Sequence, residues 1–323
     1  IDSPLPETAK VLELGCAEGY ILIPHAVNYP KGKFVGVDLS EVQIKSGQKH
    51  LEKLKLKNIE LKHMSILDVD EDFGKFDYII SHGVISWVPQ NVQDKILSIC
   101  KKNLNKNGIA YISYNTLPGW NMVRTIRDMM MYHSSGFTNS AEKVSQGRML
   151  LKFINDALEG TKTPYAQMLK QEAELLSRQQ DHYIRHEHLE DENTQFYFSD
   201  FMKKAHSHGL KYLSDCNLST MYVGNMPKTA AEKLKDLNDI VRTEQYMDFI
   251  VNRRFRSTLL CHEDLKINRT LNISDIKKFA ISLNISPEEP YDADKIDNKQ
   301  VTKFIYANNK DSYISTTSPY LKS

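Results

Sequence analysis

Cysteine is scarce in this 323-residue chain: Cys16, Cys100, Cys216 and Cys261 stand far apart and form no Cys-x-x-Cys pair. That spacing argues against a disulfide framework and a structural zinc site, and it fits a reducing cytoplasm. A surplus of charge is also missing, because 42 Lys+Arg against 41 Asp+Glu leave a net charge of +1. No nucleic-acid partner is expected, since such binders rely on a basic excess. Apolar runs are only a few residues long, so no membrane insertion is expected. Residues 1–6 carry Asp2 and two prolines and do not read as a signal peptide. The chain opens on Ile1 rather than Met and reaches a strand pattern almost at once, which suits a piece of a larger protein. A length prior of roughly 150 residues per domain predicts about two domains.

What is present begins with alternating strands and helices. The run 10–14 is short, apolar and stopped by Gly15, as in a buried parallel strand. Further strands are expected at 33–38, 59–63, 76–81 and 109–114, with a turn at Asn107-Gly108. Helical patterns follow Gly19 and cover 41–57 and 91–104. This order predicts an α/β fold with a doubly wound parallel sheet, whose ligand sits outside the carboxyl ends of the strands.

The loop after the first strand decides between ligands. A dinucleotide fingerprint needs glycine at 15, 17 and 20, where the chain has Gly15, Ala17 and Tyr20. An acid-x-Gly-x-small-x-Gly pattern is met instead by Glu13, Gly15, Ala17 and Gly19. This resembles motif I of the class I S-adenosylmethionine-dependent methyltransferases, with a Rossmann-like seven-stranded sheet. Small residues there let backbone approach the cofactor. Asp38 ends the second strand and is placed to accept both ribose hydroxyls, with Leu39 beside it. Ser65, Ile66 and Asp68 occupy the adenine-contacting stretch, Ser81 and His82 follow the fourth strand, and Cys16 is a small packing residue in the loop. The cofactor expected is S-adenosylmethionine.

The chain lacks the Asn/Asp-Pro-Pro-aromatic clamp and the Pro-Cys nucleophile of base methyltransferases, and has Ser81-His82-Gly83 instead. After the fifth strand, 113–120 reads SYNTLPGW, and Tyr114, Asn115 and Trp120 are the candidates for lining an acceptor channel. That phrase, with HLEDENTQFYFSDFMKKAHSHGLKYL at 188–213 and EQYMDFIVNRRFRSTLLCHED at 244–264, resembles methyltransferases with an appended regulatory domain. Their best-known members are bacterial protein-lysine methyltransferases acting on outer-membrane surface proteins. The resemblance implies a cytoplasmic enzyme with an outer-membrane protein as partner. It also implies a segment before the first strand that caps the cofactor and a further C-terminal domain, both expected to lie largely outside residues 1–323. A small-molecule methyltransferase and a catalytically silent binding module are the alternatives.

Four regions are expected: a cofactor-binding core at 1–120, a helical insertion at 121–182, a regulatory segment with the returning strands at 183–264, and the start of another domain at 265–323. Met122, Ile126, Met129 and Met130 mark one inserted helix, and Met149, Leu150, Phe153 and Ile154 another; Pro164 begins a third. This block is the expected route to a homodimer. His182, His186 and His188 lack a third placed ligand, so no metal is expected. Arg253, Arg254 and Arg256 read as a solvated strand edge or an interface.

Overall fold

A computed structural model describes residues 5–270, 274, 284–290, 301–306 and 309–317. The chain forms two compact units, Ile1–Ile267 and Asn268–Ser323. In the first, β1 (Lys10–Leu14), β2 (Lys33–Asp38), β3 (Ile59–His63), β4 (Phe76–Ser81) and β5 (Leu104–Asn115) are joined by α1 (Leu22–Asn28), α2 (Glu41–Leu54) and α3 (Gln90–Asn103). A helical block follows: α4 (Trp120–Ser134), α5 (Ser140–Ala157), α6 (Pro164–Ser177) and α7 (Asp181–Leu189). The chain then returns through α8 (Phe198–Ser207), β6 (Leu210–Asp215), α9 (Lys228–Lys235), α10 (Ile240–Val251) and β7 (Phe255–His262). The sheet order is β3-β2-β1-β4-β5-β7-β6, with the first five strands parallel and β7 antiparallel to both neighbours. It is the seven-stranded class I methyltransferase sheet that the first strands led one to expect.

Alternation along the strands divides the core between two faces. Leu12, Leu14, Ile79, Ala110 and Ile112 pack with Ile96 and Cys100 of α3 and Phe201 and Ala205 of α8. Val11, Phe34 and Leu61 pack on the other face with Leu22 of α1 and Ile44 and Leu51 of α2. Each fully buried side chain of this size contributes about 1.5–3 kcal/mol.

Two boundaries differ from the sequence reading. Helix α2 stops at Leu54 because Lys55 adopts a left-handed conformation, φ 55°. No turn separates α3 from β5. Asn107-Gly108 sits in a bulge, with Phe76 opposite Leu104 but Tyr78 opposite Ile109. Strand β6 ends at Asp215, where Asn217 N–H bonds to the Asp215 carboxylate and a 3₁₀ turn, Leu218–Met221, begins.

The helical block has a core of its own, including Ile126, Met130, Leu151, Ile154, Leu169 and Ile184. On α5 the inward stripe is Val144, Gly147, Leu151 and Ile154. Gly147 belongs to it because a Cβ there would stand 2.6 Å from Met130 Cε. That stripe turns Met149 and Phe153 outward, 60% and 66% exposed.

In the second unit β8 (Ile285–Pro287), β9 (Thr302–Tyr306) and β10 (Asn309–Thr316) form an antiparallel sheet ordered β10-β9-β8.

Candidate active site

The loop after β1 is shaped by backbone conformations that favour small residues. Gly15 and Gly19 have φ of 75° and 83°, and Ala17 has φ 50°. A non-glycine residue in this region costs roughly 1–2 kcal/mol. Ala17 is held there by its N–H, which donates to Asp38 Oδ2 at 2.8 Å. Ser40 N–H donates to Asp38 Oδ1 at 2.8 Å. Gly15 and Cys16 N–H groups both donate to Val37 O, at 2.8 and 3.1 Å. Asp38 thus locks the loop while keeping one further acceptor site on each oxygen, a bidentate pair aimed by the backbone.

Glu13 is 3% exposed and its Oε2 has no hydrogen-bond partner. Burial first, and the neighbouring Asp38 charge second, push its carboxyl up to about 8. An orphan carboxyl oxygen beside an anion needs a donor or a cation to complete it. Cys16 is buried, and burial raises its thiol further above the ordinary value, so it packs rather than reacts. A Cβ on Gly15 would stand 2.5 Å from Val84 Cγ2, which ties the loop to the segment after β4.

The remaining cofactor candidates lie around this loop. Leu39 is 73% exposed. Ser65 accepts Leu67 N–H at 3.2 Å and caps a 3₁₀ turn, Ile66–Asp68, in which Ile66 is half-buried and Asp68 exposed. Met64 N–H donates to Asp38 O at 2.9 Å, and His63 Nε2 lies 3.1 Å from Leu39 O, so the loops after β2 and β3 are bound together. His63 was missed in the sequence, where its one signal is its place at the end of β3. Ser81 is buried on the α3 face with an unpartnered Oγ. His82 points to the opposite face, where its Nδ1 lies 3.0 Å from both Tyr111 Oη and Ser113 Oγ.

The expected acceptor group separates. Tyr114 does not reach the mouth of the site: it is fully buried, its ring stacks on Phe201 at 4.1 Å, and its hydroxyl bonds Thr258 Oγ1 at 2.9 Å. Strand alternation is the reason, since Tyr114 shares a face with Ile112. Asn115 stays at the strand end, buried, with its N–H on Ser86 Oγ and its Nδ2 unpartnered. Trp120 opens α4, is 4% exposed, and meets Trp87 edge-on at 6.1 Å. Trp87 also packs against His186 of α7 at 4.7 Å. The strap from α7 to α8 runs beside these groups, Phe196 N–H bonding Asn115 O and Thr194 N–H bonding Ser86 O. Residues after the insertion, from α7 and the strap to α8, therefore reach the carboxyl ends of β4 and β5, a contact no local pattern announces.

The arginine run also differs from expectation. Arg256 is 1% exposed and binds Asp248 through two 2.8 Å hydrogen bonds and Glu244 through a third, with Asp215 at 3.5 Å. Its guanidinium also lies 4.0 Å from the Phe198 ring centre. It is a buried clamp between β7, β6 and α10 rather than a solvated edge. Arg253 pairs with Asp248 at 2.6 Å, and Arg254 pairs with Glu172 of α6. Of the three histidines on α7, His182 is exposed, His186 packs tilted against Trp87, and His188 is buried and held down to about 4 by burial. Among the described residues no group of three or more His, Cys, Asp or Glu is placed to hold a metal ion, and no helix is long and apolar enough to cross a membrane.

A family model for a methyltransferase domain matches residues 6–187, and one for a predicted methyltransferase regulatory domain matches residues 180–262. With the sheet order and loop just described, the chain belongs to the class I S-adenosylmethionine-dependent methyltransferases that carry this regulatory domain. An uncharacterized protein of Rickettsia prowazekii (strain Madrid E) is 62% identical over 323 residues, 100% of this chain and 58% of that protein. A second uncharacterized protein of that organism is 54% identical over 213 residues, 66% of this chain and 85% of that protein. Among solved structures, PKMT2 from Rickettsia typhi in complex with AdoHcy is 51% identical with a TM-score of 0.89, covering 100% of this chain and 62% of that one. The chain thus spans 58% and 62% of the length of the two relatives it matches end to end.

Proposed function

We propose that this chain carries the catalytic core of a protein-lysine N-methyltransferase that uses S-adenosylmethionine. The observation that carries the cofactor is Asp38, whose two oxygens are aimed by Ala17 and Ser40 N–H beside a loop open to small residues only. Asp38 would hold the ribose hydroxyls, the loop after β3 would flank the adenine, and the orphan Glu13 oxygen suits the cofactor's cationic end. The bound cofactor supplies an activated methyl group on a sulfonium. The chain supplies alignment of the acceptor nitrogen and loss of its proton, the two requirements of an in-line displacement.

The acceptor reading rests on the resemblance to protein-lysine methyltransferases and on PKMT2 as a structural relative. Trp120 and Asn115 would line the approach to the methyl group. An outer-membrane protein is the acceptor that the resemblance favours, met in a bacterial cytoplasm before export. The outward Met149 and Phe153 of α5 support a homodimer through the helical insertion.

The test is incubation with methyl-deuterated S-adenosylmethionine and an outer-membrane protein extract from a Rickettsia species, read by mass spectrometry. Labelled lysine in a protein supports the proposal. Label on small molecules makes the chain a small-molecule methyltransferase, and cofactor binding without transfer makes it a silent scaffold.

A further inference from the structure

The sheet face that carries α1 and α2 changes character along β4, β5 and β7. Toward one end Tyr78, Ile80, Ile109 and Leu259 help line an apolar cavity of about 550 Å³. Toward the carboxyl ends of β4 and β5 the same face turns polar, with His82, Ser113, Asn115 and, on antiparallel β7, Ser257. A polar group is tolerated on such a face only with partners, and these partners converge on one imidazole. His82 Nδ1 meets Tyr111 Oη and Ser113 Oγ, each at 3.0 Å. Tyr111 Oη lies 3.0 Å from Ser257 Oγ, and Gly83 N–H donates to Ser113 Oγ at 2.8 Å. Phe255 closes one side, its ring edge-on to the imidazole at 6.2 Å. The other ring nitrogen, Nε2, has no hydrogen-bond partner among the described residues. His82 also stands two residues before Val84, the side chain packed against the cofactor loop at Gly15.

We propose that His82 is the proton acceptor for the incoming amine, working through Nε2 while Tyr111 and Ser113 hold Nδ1. This deepens the methyltransferase reading and rests on it. An Nδ1–H that donates to Tyr111, which donates on to Ser257, leaves the Nε2 lone pair bare. The acceptor's ammonium gives one proton to Nε2. The freed nitrogen lone pair forms the N–C bond, the S–C bond breaks with its electron pair left on sulfur, and the proton passes from Nε2 to solvent. The positive sulfonium nearby lowers the amine's own pKa and makes that transfer feasible. Partial burial holds the imidazole below its ordinary value, which disfavours its charged form before the amine arrives. Among the described residues Tyr111 is in contact with it, and His25, Tyr29 and Tyr78 are the other titratable groups lining the cavity that His82 and Tyr111 share.

Two measurements on the full chain decide the matter. His82→Asn keeps a polar side chain but removes the base, and turnover of the labelled-lysine reaction should fall by about 10² or more. The acid limb of the pH–rate profile should vanish with it, and added imidazole should restore part of the rate. Turnover of His82→Asn within about threefold of the parent would overturn the proposal. Independently of turnover, ¹⁵N spectra of the histidines, assigned with the same variant, should show His82 as the Nδ1–H tautomer, with its pKa lowered further by S-adenosylmethionine than by the uncharged S-adenosylhomocysteine. An Nε2–H tautomer, or a titration indifferent to cofactor charge, would overturn it too. If the parent labels no lysine, the functional reading fails by itself, and the spectra still judge whether His82 faces the sulfonium.

Discussion

The two halves of the seven-stranded sheet hold their polar groups by different means. Around β1, β2 and β3 the loops are bound by backbone donors: Ala17 and Ser40 N–H on Asp38, Gly15 and Cys16 N–H on Val37 O, Met64 N–H on Asp38 O. Around β4, β5, β7 and β6 the contacts are between side chains, such as His82 with Tyr111, Tyr111 with Ser257, and Arg256 with Asp215, Glu244 and Asp248. A cofactor of fixed chemistry can be held by a fixed backbone. An acceptor half can be re-specified by exchanging side chains on the same strands.

That contrast is sharpened first by Arg256. Replacing it with Met leaves Asp248 and Glu244 buried without their principal cation, and should cost about 3–5 kcal/mol in denaturant unfolding. Adding Asp248→Asn and Glu244→Gln should recover much of that loss, because the penalty lies in the stranded charges. A single-variant loss below about 1 kcal/mol would mean that the clamp is not what fastens α10 to the sheet.

A smaller effect, read in ligand binding, is expected from Asp38→Ala, which also frees the Ala17 and Ser40 N–H groups that hold the loop. Removing two charge-assisted hydrogen bonds should weaken cofactor affinity by about 10² or more in calorimetry. Unchanged affinity would remove Asp38 from the site.

A prediction that appears only as pH is varied concerns Glu13. Its folded pKa, about 8, lies above the ordinary 4.5, so the folded state binds the extra proton between those values. The resulting stability is full below pH 4.5 and is lost as pH rises through 8. The cofactor-free protein should therefore lose up to about 1.4 kcal/mol per pH unit in that window from this group. Glu13→Gln should flatten the decline. A cationic ligand group beside Glu13 would favour its ionised form, so cofactor affinity should rise across the same window and lose that dependence in the variant. Identical pH profiles for parent and variant would refute both.

Local pattern made the cofactor half readable. Strand β1 and the Glu13, Gly15, Ala17 and Gly19 spacing report backbone conformations, which neighbouring residues dictate almost alone. Tyr114 shows where this stops: its residue type and place near the end of β5 suited a channel, yet alternation turned it onto Phe201. The arginine run shows the same, because a guanidinium is at home in water or in a buried ion cluster, and Asp215 lies 41 residues from Arg256.

By itself the sequence determined the strand and helix order of the core, the small-residue loop and the acid that ends β2, since all of these follow from short-range periodicity and backbone freedom. Tertiary structure alone decided that Arg256 is a clamp, that Met149 and Phe153 face outward, and that His82 shares a polar corner with Tyr111 and Ser257. Those outcomes depend on which strands become neighbours. Pairing across 146 residues, as between Tyr111 and Ser257, leaves no trace in the local order of residue types.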